Sequence, residues 1–147
     1  MTRPAFVFAL AMLSVAAVLL PSQGQAQQGD AAQPNALGMS VRHIHIRVMD
    51  VERTKAFYRD KLGFPVTNST PTVVEFPGLW FGKWTGPGAI PTGGITIGIA
   101  AKSVEAVYNE LKRRGVDLPN PPAPVRGEYS FTFKDPDGYV VEVEGPK

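Results

Sequence analysis

The chain has 147 residues, 44% of them hydrophobic, with no cysteine and a formal charge of +2. Without cysteine there are no disulfides, no iron–sulfur ligation, no thiol catalysis and no zinc site that needs sulfur. A charge balance so near neutral gives no footprint for nucleic acid or for acidic membrane lipid, so neither is expected as a partner.

Met1 to Arg3 supply a short positive start, Ala5 to Leu20 run without a charge, and Pro21-Ser-Gln-Gly-Gln-Ala26 is polar and ends in small residues. That order predicts a secretory signal peptide over residues 1–26, cut after Ala26. The apolar run falls short of the roughly 20 residues a spanning helix needs, and Pro21 closes it. Cleavage would remove Arg3 and no acid, taking the formal charge from +2 to +1. The expectation is an exported protein, periplasmic or secreted, with no membrane partner once the signal is gone. Residues 27–38 are small and polar with no period, a flexible linker. About 110 residues remain, enough for one core.

Val41 to Val48 alternates. Ile44, Ile46 and Val48 share one face, and His43, His45 and Arg47 the other, as in a strand buried on one side. Asp50 stands where an N-cap belongs. Val51, Thr54, Tyr58 and Leu62 recur at helical spacing, and Gly63 follows as a residue that tolerates positive φ. Strand-like pieces come next at Pro65–Asn68, Val73–Phe76 and Leu79–Trp84.

The Gly- and Pro-rich stretch Gly86–Gly94 is a crossing, after which the plan repeats. Ile95, Ile97 and Ile99 alternate with Thr96, Gly98 and Ala100. Ser103 is placed to cap a helix striped by Val104, Val107, Tyr108 and Leu111, and Gly115 ends it. Leu118 is expected to open a short strand that the proline-rich Pro119–Pro124 loop interrupts. Tyr129, Phe131 and Phe133 alternate in a strand. Asp135-Pro-Asp-Gly138 makes a tight turn, so Asp135, Pro136 and Gly138 are turn chemistry, and Tyr139 to Glu144 return as the last strand. Two copies of strand–helix–strands are an internal duplication, with modules at about 41–85 and 94–145. The predicted class is α+β. Ile44, Ile46, Val48, Ile95, Ile97 and Ile99 are expected to face the helices, with His43 and Thr96 on the opposite side.

The stretch His43-Ile-His-Ile-Arg-Val-Met-Asp50, with Ala56-Phe-Tyr58 and Leu62-Gly-Phe64 behind it, resembles the first module of the glyoxalase/bleomycin-resistance/extradiol-dioxygenase (vicinal oxygen chelate) superfamily. Asp135-Pro-Asp-Gly-Tyr-Val-Val-Glu142 is similar to that superfamily's closing hairpin, and the resemblance spans residues 39–147. It implies two tandem βαβββ modules curled into a half-open mixed β-barrel, with side chains in the cleft that can hold a divalent metal ion. It further implies His43 as the first-strand metal ligand and Glu142 as the final-strand ligand. Glu142 would also be the catalytic carboxylate that moves a proton. Thr96 falls where the second module usually carries a ligand, and Leu79–Trp84 holds no carboxylate or imidazole. Two ligands leave most of a divalent shell to water, whereas catalytic sites usually supply three.

His43 is therefore either a ligand or base, or a half-buried polar residue kept from an ancestral site. Two reaction classes stay open. In one, a metal-assisted lyase, isomerase or dioxygenase acts on a small molecule. In the other, a metal-free protein sequesters a small, drug-type molecule in a cleft lined by His45, Arg47, Thr96, Trp80 and Trp84. The two tryptophans either stack on a planar ligand or belong to a core or dimer interface. A homodimer is expected in both cases.

Overall fold

Asp50 ends the first strand and starts the first helix in one step, because its carboxylate accepts the backbone N–H of Arg53 at 3.0 Å. The computed structural model describes residues 36–147, so the expected signal peptide and most of the expected linker lie outside the described residues. Within them, β1 (Ile44–Val48) leads into α1 (Val51–Ala56), which widens into a π-helical turn over Phe57–Lys61. Gly63 closes that turn at φ +80. β2 (Asn68–Thr70), β3 (Val73–Phe76) and β4 (Leu79–Lys83) complete the first module. The second module runs β5 (Thr96–Ala100), α2 (Val104–Arg113), β6 (Ala123–Val125), β7 (Glu128–Lys134) and β8 (Val140–Gly145). Ser103 caps α2 by accepting from Ala106 N–H at 3.3 Å, and Gly115 follows it at φ +74.

The duplication is complete at the level of topology. The sheets are ordered β1-β4-β3-β2 and β5-β8-β7-β6, each with one parallel pair and two antiparallel pairs. The α+β fold is thus two βαβββ modules whose sheets form a half-open, not a closed, barrel. No helix among the described residues is long and apolar enough to cross a membrane.

Each helix lies against the strands of its own module, and the core between them is apolar: Ile46, Val48, Tyr58, Val74, Phe76 and Phe81 from the first, Ile97, Val104, Phe131, Val141 and Val143 from the second. Ile44 and Ile95 differ from expectation. They are 55% and 43% exposed, because Ile44 opens β1 at its uncovered end and Ile95 precedes β5. Two strands also shift. β2 begins at Asn68 rather than Pro65, since its ladder runs from Asn68–Glu75 to Thr70–Val73 and Pro65 has no N–H to offer. β6 forms at Ala123–Val125, inside the proline-rich loop. Pro124 is tolerated there because β6 is an edge strand, and its turn to β7 uses Arg126 and Gly127 at positive φ.

Asp135 and Asp137 tie the modules together from the β7–β8 turn. Asp135 accepts the backbone N–H groups of Asp137 and Tyr139 and the Tyr58 hydroxyl. Asp137, its side chain 1% exposed, accepts Met49 N–H at 2.9 Å, Arg53 Nη2 at 3.0 Å and Thr54 Oγ1 at 3.2 Å. A carboxylate of the second module thereby pins the start of α1 of the first. Tyr139 adds a hydroxyl donated to the Arg47 carbonyl at 2.9 Å.

Candidate functional site

The side chains expected to carry chemistry in the first module project from the face of its sheet opposite α1. The ladder sets them in two cross-strand rows. One row runs His45, Trp80, Glu75, Asn68; the next runs Arg47, Gly82, Val73, Thr70. His43, one strand position before this ladder, stacks on the Trp80 indole with ring centres 3.6 Å apart and planes within 6°. His45 meets the same indole edge-on at 6.3 Å.

Gly82 makes a notch in the second row. A methyl group there would stand 2.8 Å from Arg47 Nη1 and closer still to His45 Nε2, so both side-chain tips fold over the bare glycine. Arg47 has no ion pair among the described residues. Glu75, in the neighbouring row, accepts instead from Asn68 Nδ2 at 3.1 Å. Partial burial lowers the pKa of His45 from its ordinary 6.5, the charges of Arg47 and His43 lower it further, and Glu75 opposes them. The shift favours the neutral imidazole.

Among the described residues, two buried nitrogens on this side lack any hydrogen-bond partner, His43 Nδ1 and Trp84 Nε1. An unsatisfied buried polar atom costs about 1–3 kcal/mol. Trp84 lies just past β4, its backbone N–H donated to the Val48 carbonyl at 2.8 Å, and its ring packs against Gly86. It makes no ring contact with Trp80.

In the second module, Thr96 is exposed at the start of β5 and pairs with Val140. Glu142 is half-buried opposite Gly98 in the ladder, and lines a pocket of 330 Å³ with Glu144, Glu128, Tyr129 and Arg126. Thus His43, His45, Arg47 and Trp80 come together on the first module, while Glu142 and Glu144 share a face of the second.

These residues do not fit a tightly held divalent ion. Among the described residues no three His, Cys, Asp or Glu side chains come together as a donor set. His43 has one ring face covered by Trp80 and its Nδ1 buried. The last strand of the first module, Leu79–Lys83, offers neither a carboxylate nor an imidazole. Sequence patterning did not single out Gly82 or Asp137. A glycine inside an apolar strand is the one visible signal for the first. The second acts across 83–88 residues of sequence, which no local pattern reports.

Comparison with known proteins agrees with this architecture. The profile of the Glyoxalase/Bleomycin resistance protein/Dioxygenase superfamily matches residues 40–143. A crystal structure of a protein of unknown function from Agrobacterium tumefaciens strain C58 is 25% identical, with a TM-score of 0.64 over 73% of this chain and 94% of that one. Lactoylglutathione lyase from Agrobacterium tumefaciens is 19% identical, with a TM-score of 0.59 over 71% and 92%. TnmS3, an antibiotic-binding protein from Streptomyces sp. CB03234, is 22% identical, with a TM-score of 0.62 over 74% and 97%. No curated protein matches. The chain belongs to the glyoxalase/bleomycin resistance protein/dioxygenase superfamily.

Proposed function

We propose that this protein is an exported, metal-independent small-molecule binder whose ligand rests on the first module's outer sheet face, around Trp80. One observation carries the reading: the His43 imidazole is stacked on Trp80 at 3.6 Å with Nδ1 buried, an aromatic platform rather than a coordination site. The similarity in fold to TnmS3, an antibiotic binding protein, supports it. The metal-assisted reading, with His43 and Glu142 as ligands and Glu142 as the proton carrier, has only two donors to draw on and would leave the rest of the shell to water.

Metal calorimetry separates the two. The mature protein, freed of metal by chelator and titrated with Mg²⁺, Mn²⁺, Ni²⁺ and Zn²⁺, is expected to bind none with sub-micromolar affinity. Stoichiometric, sub-micromolar binding of any of them would return the protein to the metal-assisted class. The protein acts as a homodimer in this proposal, with Ile44, Met49 and Ile95, 55%, 49% and 43% exposed, as the apolar side chains available for pairing.

A further inference from the structure

The notch over Gly82 has the chemistry of an anion seat. Arg47 brings a guanidinium without a carboxylate partner among the described residues. His45 brings its Nε2 to the same point, and because Gly82 has no Cβ the two tips lie side by side over the buried glycine, their outer sides left to a ligand. An Arg fork matches a carboxylate in two parallel hydrogen bonds, and an adjoining neutral imidazole donates a third from Nε2 in the appropriate tautomer. The carboxylate nearest in register, Glu75, accepts from Asn68 and forms no ion pair with Arg47 among the described residues. Beside the notch lies the half-buried Trp80 indole, flat and already carrying one stacked ring, with Val73 across the next ladder position.

We propose that the ligand is a planar aromatic acid. Its carboxylate is held by the Arg47 and His45 tips over Gly82, and its ring packs against the half-buried Trp80. This assignment rests on the metal-independent binding face described above, but it makes a separate claim, about the charge of the ligand. Neutral planar molecules would gain the indole contact and forgo the charge-assisted bonds. Cationic ones would meet Arg47 unfavourably.

Calorimetry of the mature protein with 2-naphthoate and with its uncharged isostere 2-naphthamide tests the charge directly. The acid is expected to bind at least tenfold more tightly than the amide. Arg47→Gln should abolish that preference by weakening the acid at least tenfold and leaving the amide unchanged, and Arg47→Lys should recover part of it. Trp80→Ala should weaken both probes alike. Thermal melts of each variant confirm that the fold is retained. Equal binding of acid and amide by wild type, or an Arg47→Gln protein that keeps full affinity for the acid, overturns the anion assignment. If Trp80→Ala still weakens both probes in that case, the binding face itself survives. No heat with either probe at millimolar concentration overturns the assignment outright, whereas a tight metal site would undo the underlying reading by an independent measurement.

Discussion

Ile44 and Ile46 stand two positions apart on the same side of one strand, yet one is 55% exposed and the other 3%. Alternation assigns a side to each residue of a strand, and that much is legible in the sequence. How far the helix above it extends is not, because coverage depends on where α1 crosses the sheet. The same contrast separates Ile97, 4% exposed, from Ile95. Ile97→Ala should therefore cost roughly 2–5 kcal/mol as a core truncation. Ile44→Ala and the exposed Thr96→Ala should each stay within about 0.5 kcal/mol. Denaturant melts of the three variants check this, and similar losses for Ile97→Ala and Ile44→Ala would contradict the burial described. Gly82 belongs to the same scale. Its meaning comes from the side chains that fold over it, and these become neighbours only through the β1–β4 register.

At the scale of elements, the caps were legible and the tie between modules was not. Asp50 and Ser103 cap helices that begin one residue later, and such local hydrogen bonds leave a sequence signature. Asp137 does comparable work on α1 from a turn far along the chain. It satisfies Met49 N–H and Thr54 Oγ1 while facing Arg53, its own side chain almost wholly buried. Asp137→Ala would leave Met49 N–H without its acceptor and Thr54 Oγ1 with the Asp50 carbonyl alone, and should cost about 1–3 kcal/mol. Asp50→Ala, which removes one exposed cap bond, should cost about 0.5–2 kcal/mol. Guanidinium melts rank the two, and a smaller loss for Asp137→Ala would mean that the turn does not tie the modules. Asp135, beside it, has its pKa raised by burial, against the pull of three hydrogen bonds. The folded state keeps that proton to higher pH than the unfolded chain does. The carboxyl's contribution is thus present at low pH and lost as pH rises through its folded value.

For the whole molecule, the order of charge, apolar run and small residues ahead of Gln27 supports export of the folded domain. The intact mass of protein recovered from the periplasm or medium should correspond to a chain beginning at or near Gln27. A mass that includes Met1 would contradict export by cleavage. In the proposed homodimer the uncovered apolar side chains of Ile44 and Ile95 are shielded. Light scattering should then report twice the protomer mass for the wild type, and a shift toward one protomer for Ile44→Asp.

The duplication, the two capped helices, the α+β class and the superfamily are all legible in the sequence. These rest on periodicity and on hydrogen bonds spanning a few residues, and such features are written locally. The sequence also puts His43, His45 and Arg47 on one side of a strand, and Glu142 and Glu144 on one side of another. What those sides become depends on contacts between distant segments. Register placed Trp80 beside His45, and stacking turned His43 onto the indole. The glycine opposite Arg47 opened a notch, and the β7–β8 turn reached back to hold α1. Each depends on which distant residues meet across a ladder or a packed interface, and that is fixed by the free energy of the whole core rather than by any segment of the chain.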